Sequence, residues 1–366
     1  MTRAPDDFWL THGTLVTSRG RIAGSVHIVG GRIGAIRTHP PRGARAINVR
    51  GAYVAPGFID LHAWGEPRRL AREVVRDGTT AFLTTLGPAP RAQLLDAVRK
   101  RKAPTDASGA QCLGLHLEGP FLNPARGGAL PHQWMRRPTL RELAPLVRAS
   151  GDRLRLITLA PELPGALAAI RWCARRKIAV SLGHSDADAT TGVRALRAGA
   201  SAVTHLFNGM RPLHHRFPTL ADAALADSRA VAMVIADGIH VGPAALRMAL
   251  RLKGPRRVAL VTNSVRHQRA AWKLRLRRGA YYRSDGTLAG SALTMLDAVR
   301  NAVQLGGASL EAAVRMASET PARLLRLERE RGRLQPGARA DLAVFDKNFR
   351  MRLTMVGGRI VYSAVR

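Results

Sequence analysis

The stretch Leu113-Gly114-Leu115-His116-Leu117-Glu118-Gly119-Pro120-Phe121 decides the fold. It reads as a short apolar strand that ends on two ionisable side chains and is stopped by Gly-Pro. Two later stretches have the same form, with His184 after Val180-Ser181-Leu182-Gly183 and His205 after Ala202-Val203-Thr204. Working outward, strand-like runs fall at residues 57–61, 81–85, 113–117, 154–159, 178–182, 202–205, 231–236 and 258–262, each followed by a spacer long enough for a helix. Eight such runs predict an α/β fold, a (β/α)8 barrel rather than an open doubly wound sheet. The loops after barrel strands face one mouth, and His62, Glu118, His184, His205, Asp237, His240 and Asn263 all lie just after a run.

Outside the eight runs the pattern changes. Residues 10–50 alternate β-branched segments with glycine turns and predict a small antiparallel sheet. Val29-Gly30-Gly31-Arg32-Ile33 recurs as Val356-Gly357-Gly358-Arg359-Ile360, and both read as hairpins with a two-glycine turn. The two ends therefore pair into one small β-sandwich. The predicted organisation is a discontinuous accessory domain, 1–54 and 332–366, around a barrel of residues 55–331.

With 366 residues and 46% hydrophobic composition, the chain can bury a core of that size. Residues 1–13 lack the apolar run of a signal peptide, and no stretch approaches the ~20 apolar residues of a membrane span, so the expected location is the cytoplasm with no membrane partner. Cys112 and Cys173 sit among apolar residues without metal-ligand spacing and read as inert core thiols. The net charge of +33 raises the question of a nucleic-acid partner. Its local maximum, from Arg251 to Arg283, contains no Asp or Glu, and there Trp272, Leu274 and Leu276 alternate with Lys273, Arg275 and Arg277. That is the period of a half-buried strand with a basic outer face. No zinc finger, recognition helix or aromatic stacking motif accompanies it, so no specific nucleic-acid partner is expected; salt-sensitive attraction to polyanions is.

Glu118, His184 and His205 come from three different strands. A carboxylate and two imidazoles with an open position form a catalytic zinc set, which predicts one divalent metal and hydrolytic chemistry. His116, two residues before Glu118 on the same face, is a further ligand or a supporting group.

The segment Thr204-His205-Leu206-Phe207-Asn208-Gly209-Met210, continuing through Pro212-Leu213-His214-His215-Arg216, resembles the N-acetylglucosamine-6-phosphate deacetylase family of the amidohydrolase superfamily. The resemblance runs from Pro56-Gly57-Phe58-Ile59-Asp60 through the Glu118 motif and both histidine motifs. It continues through Asp237-Gly238-Ile239-His240-Val241 and Gly286-Thr287-Leu288-Ala289-Gly290-Ser291 to residues 332–342. It implies that Glu118, His184 and His205 hold a zinc ion, or iron or another divalent ion. Asn208, the Gly209 backbone, Arg216 and His240 would contact a phosphorylated amino sugar, with Arg216 gripping phosphate across the interface of a homodimer. The implied reaction removes the acetyl group of N-acetylglucosamine 6-phosphate.

Three positions depart from the family's pattern. His62-Ala63-Trp64 stands where many amidohydrolases carry His-x-His, which argues for one metal. Gly127-Gly128-Ala129-Leu130 places Leu130 where the family has a histidine, unless His132 takes that place. Thr262-Asn263 stands for Thr-Asp, whose aspartate is the general base; an amide cannot accept that proton, and losing a base costs ~10²–10⁴ in rate. Impaired or altered deacetylation, a catalytically inactive sugar-phosphate-binding homologue and a hydrolase of another N-acyl substrate remain open on the sequence.

Overall fold

The computed structural model describes residues 7–103 and 108–364. Residues 1–6 and 365–366, at the two ends of the expected accessory domain, lie outside the described residues.

Eight parallel strands follow one another around the barrel: Phe58–Trp64, Thr79–Leu86, Gln111–Glu118, Leu154–Leu159, Ala179–Leu182, Ala202–Val203, Val231–Val234 and Val258–Leu260. The first two are buried along their whole length, as expected of parallel strands covered by helices. Between strands the helices show one apolar stripe. In Ala166–Arg175, residues Ala166, Ala169, Ile170 and Cys173 are buried at helical spacing. Several helices start on side-chain caps, such as Asp188, which accepts from Thr191 N at 2.8 Å. The first and eighth strands meet only at the mouth, where Ala63 bridges Ser264 and Trp64 N donates to Ser264 O at 3.1 Å. Asn263 therefore sits on the seam of the barrel.

Both chain ends contribute to one sheet, in the order Arg359–Ser363, Met351–Val356, Leu342–Phe345, Tyr53–Pro56, Phe8–Thr17, Gly20–Val29, Arg32–Arg37. Leu10, Leu15, Val26, Ile28, Val54, Leu342, Val344 and Met355 form its own core. The expectation of a wholly antiparallel arrangement is corrected: Phe8–Thr17 pairs in parallel with Ala46–Asn48 and with Tyr53–Pro56. The crossover through residues 38–45 returns the chain to the end at which it entered, and that forces the parallel sense. The repeated glycine pairs do form two-residue turns, with φ of 56° and 76° at Gly30 and Gly31 and 55° and 79° at Gly357 and Gly358. The turns also pack on one another. A Cβ on Gly358 would lie 2.9 Å from Gly31 Cα.

The basic segment forms a three-stranded sheet, Arg275–Arg277, Ala280–Tyr282 and Leu288–Ser291. Leu274 is buried as expected, whereas Leu276 is 48% exposed, because its strand is a three-residue edge with no layer packed over it. Cys112 and Cys173 are buried free thiols, and burial pushes Cys173 up to about 12. Among the described residues no helix is long and apolar enough to cross a membrane.

Candidate metal centre and active-site rim

The third, fifth and sixth strands deliver Glu118, His184 and His205 to one point. Glu118 Oε1 lies 3.0 Å from His184 Nε2 and 2.9 Å from His205 Nε2, and those two nitrogens are 3.1 Å apart. All three side chains are buried. The other nitrogen of each imidazole faces a backbone carbonyl: His184 Nδ1 donates to Arg126 O at 2.8 Å and His205 Nδ1 to Asn208 O at 3.1 Å. A carbonyl can only accept, so each ring keeps its proton on Nδ1 and turns a lone pair on Nε2 toward the centre. This is how protein architecture prepares a metal-binding histidine.

The structure adds His62, which the sequence places at the mouth of the barrel but not in the metal set. Its Nε2 is buried, has no hydrogen-bond partner and lies 3.4 Å from Glu118 Oε1. The ligand atoms of His62, Glu118 and His205 fall within 4.8 Å of one another. His116 is not at the centre. It lies beneath His62, with its Nδ1 2.9 Å from His62 Nδ1 and its Nε2 2.8 Å from Thr158 Oγ1, in a chain that continues to Thr204 and Ser181. Four imidazole and carboxylate groups thus converge with more lone pairs than protons, which fits a divalent cation.

Electrostatics agree. Burial pushes Glu118 up, but the imidazoles of His62, His184 and His205 around it hold it well below the usual carboxylate range. Burial pulls His184 down, yet Glu118 raises it above its ordinary value; burial prevails at His205, which falls to about 4. An anionic carboxylate beside a more basic imidazole is a site that favours positive charge at its centre.

Gly209 explains one feature of the sequence. It has φ of 61°, and a Cβ there would lie 2.9 Å from His184 Nδ1, so backbone conformation and close approach both demand glycine. His184, His205 and Asn263 themselves adopt positive φ of 48°, 30° and 47°. For residues with a Cβ this conformation costs roughly 1–2 kcal/mol each, and such strain gathers at functional sites. Behind the cluster, Glu162 accepts from Ser185 Oγ at 2.7 Å, from Asp186 N at 2.7 Å and from Asn123 Nδ2 at 2.9 Å. Asp186 in turn bridges Arg126 and Arg211. No motif announced this network, because each member is an ordinary loop residue.

The other side of the rim is built differently. Trp64 Nε1 donates to Asn263 Oδ1 at 3.2 Å. An indole N–H can only donate, so the contact fixes the amide with its oxygen toward Trp64 and its NH₂ away from it. Leu130 is buried with Trp64, Leu122, Val265, Leu274 and Tyr281. His132 does not replace it: it is exposed, and its Nε2 lies 3.0 Å from Gly128 O. A cavity of about 820 Å³ opens beside Trp64, Leu130 and Trp272 rather than over Glu118 and the histidines.

The remaining expected residues are spread along the rim. His240 is buried beside Asp237, with Nδ1 2.6 Å from Asp237 Oδ2. Burial raises Asp237, and the hydrogen bond from His240 brings it below the usual range. Asn208 stands next to the cluster through its carbonyl, whereas its side-chain amide turns back to Leu206 O at 3.3 Å. Arg216 is exposed in the loop that also exposes Leu213 and Phe217, and among the described residues no hydrogen bond or ion pair joins its side chain to the buried cluster.

The profile of the amidohydrolase family matches residues 53–361. The chain is 36% identical to an N-acetylglucosamine-6-phosphate deacetylase of Vibrio furnissii, over 91% of this chain and 89% of that protein. It is 34% identical to an N-acetylgalactosamine-6-phosphate deacetylase of Escherichia coli O157:H7, over 84% and 87%. Among solved structures, a mutant N-acetyl-D-glucosamine-6-phosphate deacetylase from Mycobacterium smegmatis, in complex with N-acetyl-D-glucosamine-6-phosphate, superposes with a TM-score of 0.88 at 31% identity. The match covers 98% of this chain and 100% of that one.

Proposed function

The chain belongs to the amidohydrolase family, and from that premise we propose that it hydrolyses the acetamide of N-acetylglucosamine 6-phosphate to acetate and glucosamine 6-phosphate. The observation that carries this reading is the convergence of Glu118, His184 and His205, with His62 beside them, on one buried point. We assign one divalent ion, zinc by its nitrogen and oxygen donors, to Glu118, His184 and His205. Bound there, it supplies Lewis-acid polarisation of the amide carbonyl and lowers the pKa of water at the site.

The protein's own groups do the rest. The carbonyls of Arg126 and Asn208 hold the two imidazoles in orientation. Asn263, with its NH₂ directed away from Trp64, is a hydrogen-bond donor for the substrate or its attacking water and takes no proton. Asp237 holds the His240 ring in orientation through Nδ1, and His240 would contact the bound sugar phosphate. Asn208 and the Gly209 backbone would line the sugar phosphate. Arg216 would bind the phosphate with its planar fork, in a cytoplasmic homodimer whose contact includes Leu213 and Phe217.

A second reading follows from the fixed amide: a sugar-phosphate-binding protein that releases no acetate. Incubation of zinc-loaded protein with N-acetylglucosamine 6-phosphate, followed by acetate assay, separates the two. Release of acetate supports the hydrolase, and saturable binding without release replaces it. Arg216→Ala should weaken binding of the phosphorylated sugar by ~1.5–3 kcal/mol and leave the unphosphorylated sugar nearly unchanged. Equal affinity of the unmodified protein for both sugars rules out a phosphate grip.

A further inference from the structure

A second cavity, of about 220 Å³, lies at the opposite end of the barrel from the metal centre. It is framed by the beginnings of the fifth to eighth strands, at Ile178, Ser201, Val231 and Arg257, and closed by the turn after the helix Glu319–Leu324. Five cationic side chains line it, Lys177, Arg229, Arg257, Arg323 and Arg326, and no carboxylate does. We propose that this cavity binds a compact, multiply charged phosphate anion.

Nearby carboxylates neutralise only part of this charge. Asp227 pairs with Arg229 of the lining at 2.9 Å, and Glu319 pairs with Arg315 and Arg333 outside it. Glu319 and Glu328 attract Arg323, each less than Arg257 repels it. The side chains of Lys177, Arg257 and Arg326 have no hydrogen bond or ion pair among the described residues. Like charges held around one concavity repel, and Arg323 is pulled down by burial first and by Arg257 next. Backbone geometry is a separate sign. Lys177 and Arg326 have φ of 59° and 61°, positions just past helix ends where glycine is the unstrained choice. Strain kept at two cation positions of the same cavity points to a use for the charges, beyond their favourable place at helix C-termini. Phosphate chemistry fits because guanidinium forks and an ammonium match its several oxygens.

The test is calorimetric titration of pyrophosphate into the zinc-loaded, full-length protein at a fixed ionic strength of about 0.15 M, which suppresses nonspecific attraction to a chain of +33. The double variant Arg257→Gln/Arg326→Gln is compared with Arg141→Gln/Arg148→Gln, which removes the same charge from the exposed face of the helix Leu140–Ser150. One saturable site, weakened at least ~10-fold by the first pair and unchanged by the second, is expected. Equal weakening by both pairs, absence of saturable binding, or binding that the first pair leaves unaffected, as at the metal centre, overturns the proposal. Should the first pair fail to fold, Lys177→Gly decides. It relieves left-handed backbone and should raise Tm while weakening pyrophosphate binding; unchanged affinity overturns the site.

Discussion

On one side of the rim, Glu118, His184 and His205 stand on strands whose neighbours satisfy nearly every supporting hydrogen bond; on the other, Trp64, Leu130 and Asn263 meet across the seam in an apolar cluster. The same contrast shows in the carboxylates. Glu118 is held well below its ordinary range by three imidazoles, whereas burial outweighs the hydrogen bonds and the charge of His62 at Asp60, and the hydrogen bonds from Thr79 at Asp77, so that both are pushed up. The half at Glu118, His184 and His205 has a field that favours positive charge. The half at Trp64, Leu130 and Asn263 presents apolar packing and a fixed amide instead. On the proposed function, binding and turnover rest on separate residues and can be broken separately.

The largest effect is expected on the metal side. Replacing His184 with alanine should lower zinc from about one equivalent per chain to a small fraction of that and abolish acetate release, while the melting temperature of the metal-free protein changes little. Elemental analysis and thermal melts check this. Two equivalents in the unmodified protein, both lost on chelation, would break the one-metal account, and with it the view that Trp64 has closed the second position.

The contrast was only half legible in the sequence. Eight apolar runs at helix-sized spacing gave the barrel, because parallel strands buried on both faces have no alternation to obscure them. Glu118, His184 and His205 stood out since each ends a run. His62 was seen but undervalued: a motif broken at Trp64 was read as a loss, and only the geometry shows the surviving imidazole turned to Glu118. The Trp64–Asn263 hydrogen bond spans 199 positions, and no local pattern encodes it. The parallel pairing of Phe8–Thr17 was hidden for a related reason, since the sense of a strand depends on a crossover whose residues carry no periodic signal.

The next effect tests the seam through pH. Asp77 rises from its ordinary 3.8 to about 7, chiefly through burial. A folded-state value above the unfolded one means stability that is fully present below pH ~4 and is lost as pH rises through about 7. At ~1.4 kcal/mol per pH unit, the loss is on the order of a few kcal/mol. Asp77→Asn should retain an acceptor for Thr79 and flatten the fall in melting temperature between pH 4 and 8. An unchanged slope would assign the pH dependence to another group and remove the seam's electrostatic signature.

A gain of about tenfold or more in kcat is expected for Asn263→Asp, which restores a proton acceptor at nearly constant volume. A smaller gain would implicate Leu130, and Asn263→Asp with Leu130→His measures their coupling. If the double variant binds zinc and sugar phosphate yet releases no acetate, the rebuilt half is not a degraded catalytic apparatus and the binding-protein reading replaces it. Ordinary turnover by the unmodified protein, ~10 s⁻¹, would instead direct attention to the Asp237–His240 pair as the proton acceptor.

The smallest effect asks whether Trp64 and Asn263 act as one unit. Trp64→Phe keeps an aromatic ring in the apolar cluster and removes the N–H that now holds Asn263 Oδ1 at 3.2 Å. In the unmodified background it should cost about 0.5–1.5 kcal/mol of stability, the net worth of one hydrogen bond. In the Asn263→Asp background the same N–H would donate to a carboxylate and favour its charged form, so removing it should make the new base harder to ionise. The acid limb of the kcat profile should then move to higher pH by roughly 0.5–1 pH unit, with zinc content unchanged. A limb that stays in place means that the indole does not govern the group at position 263, and the two seam residues then act independently rather than as a matched pair.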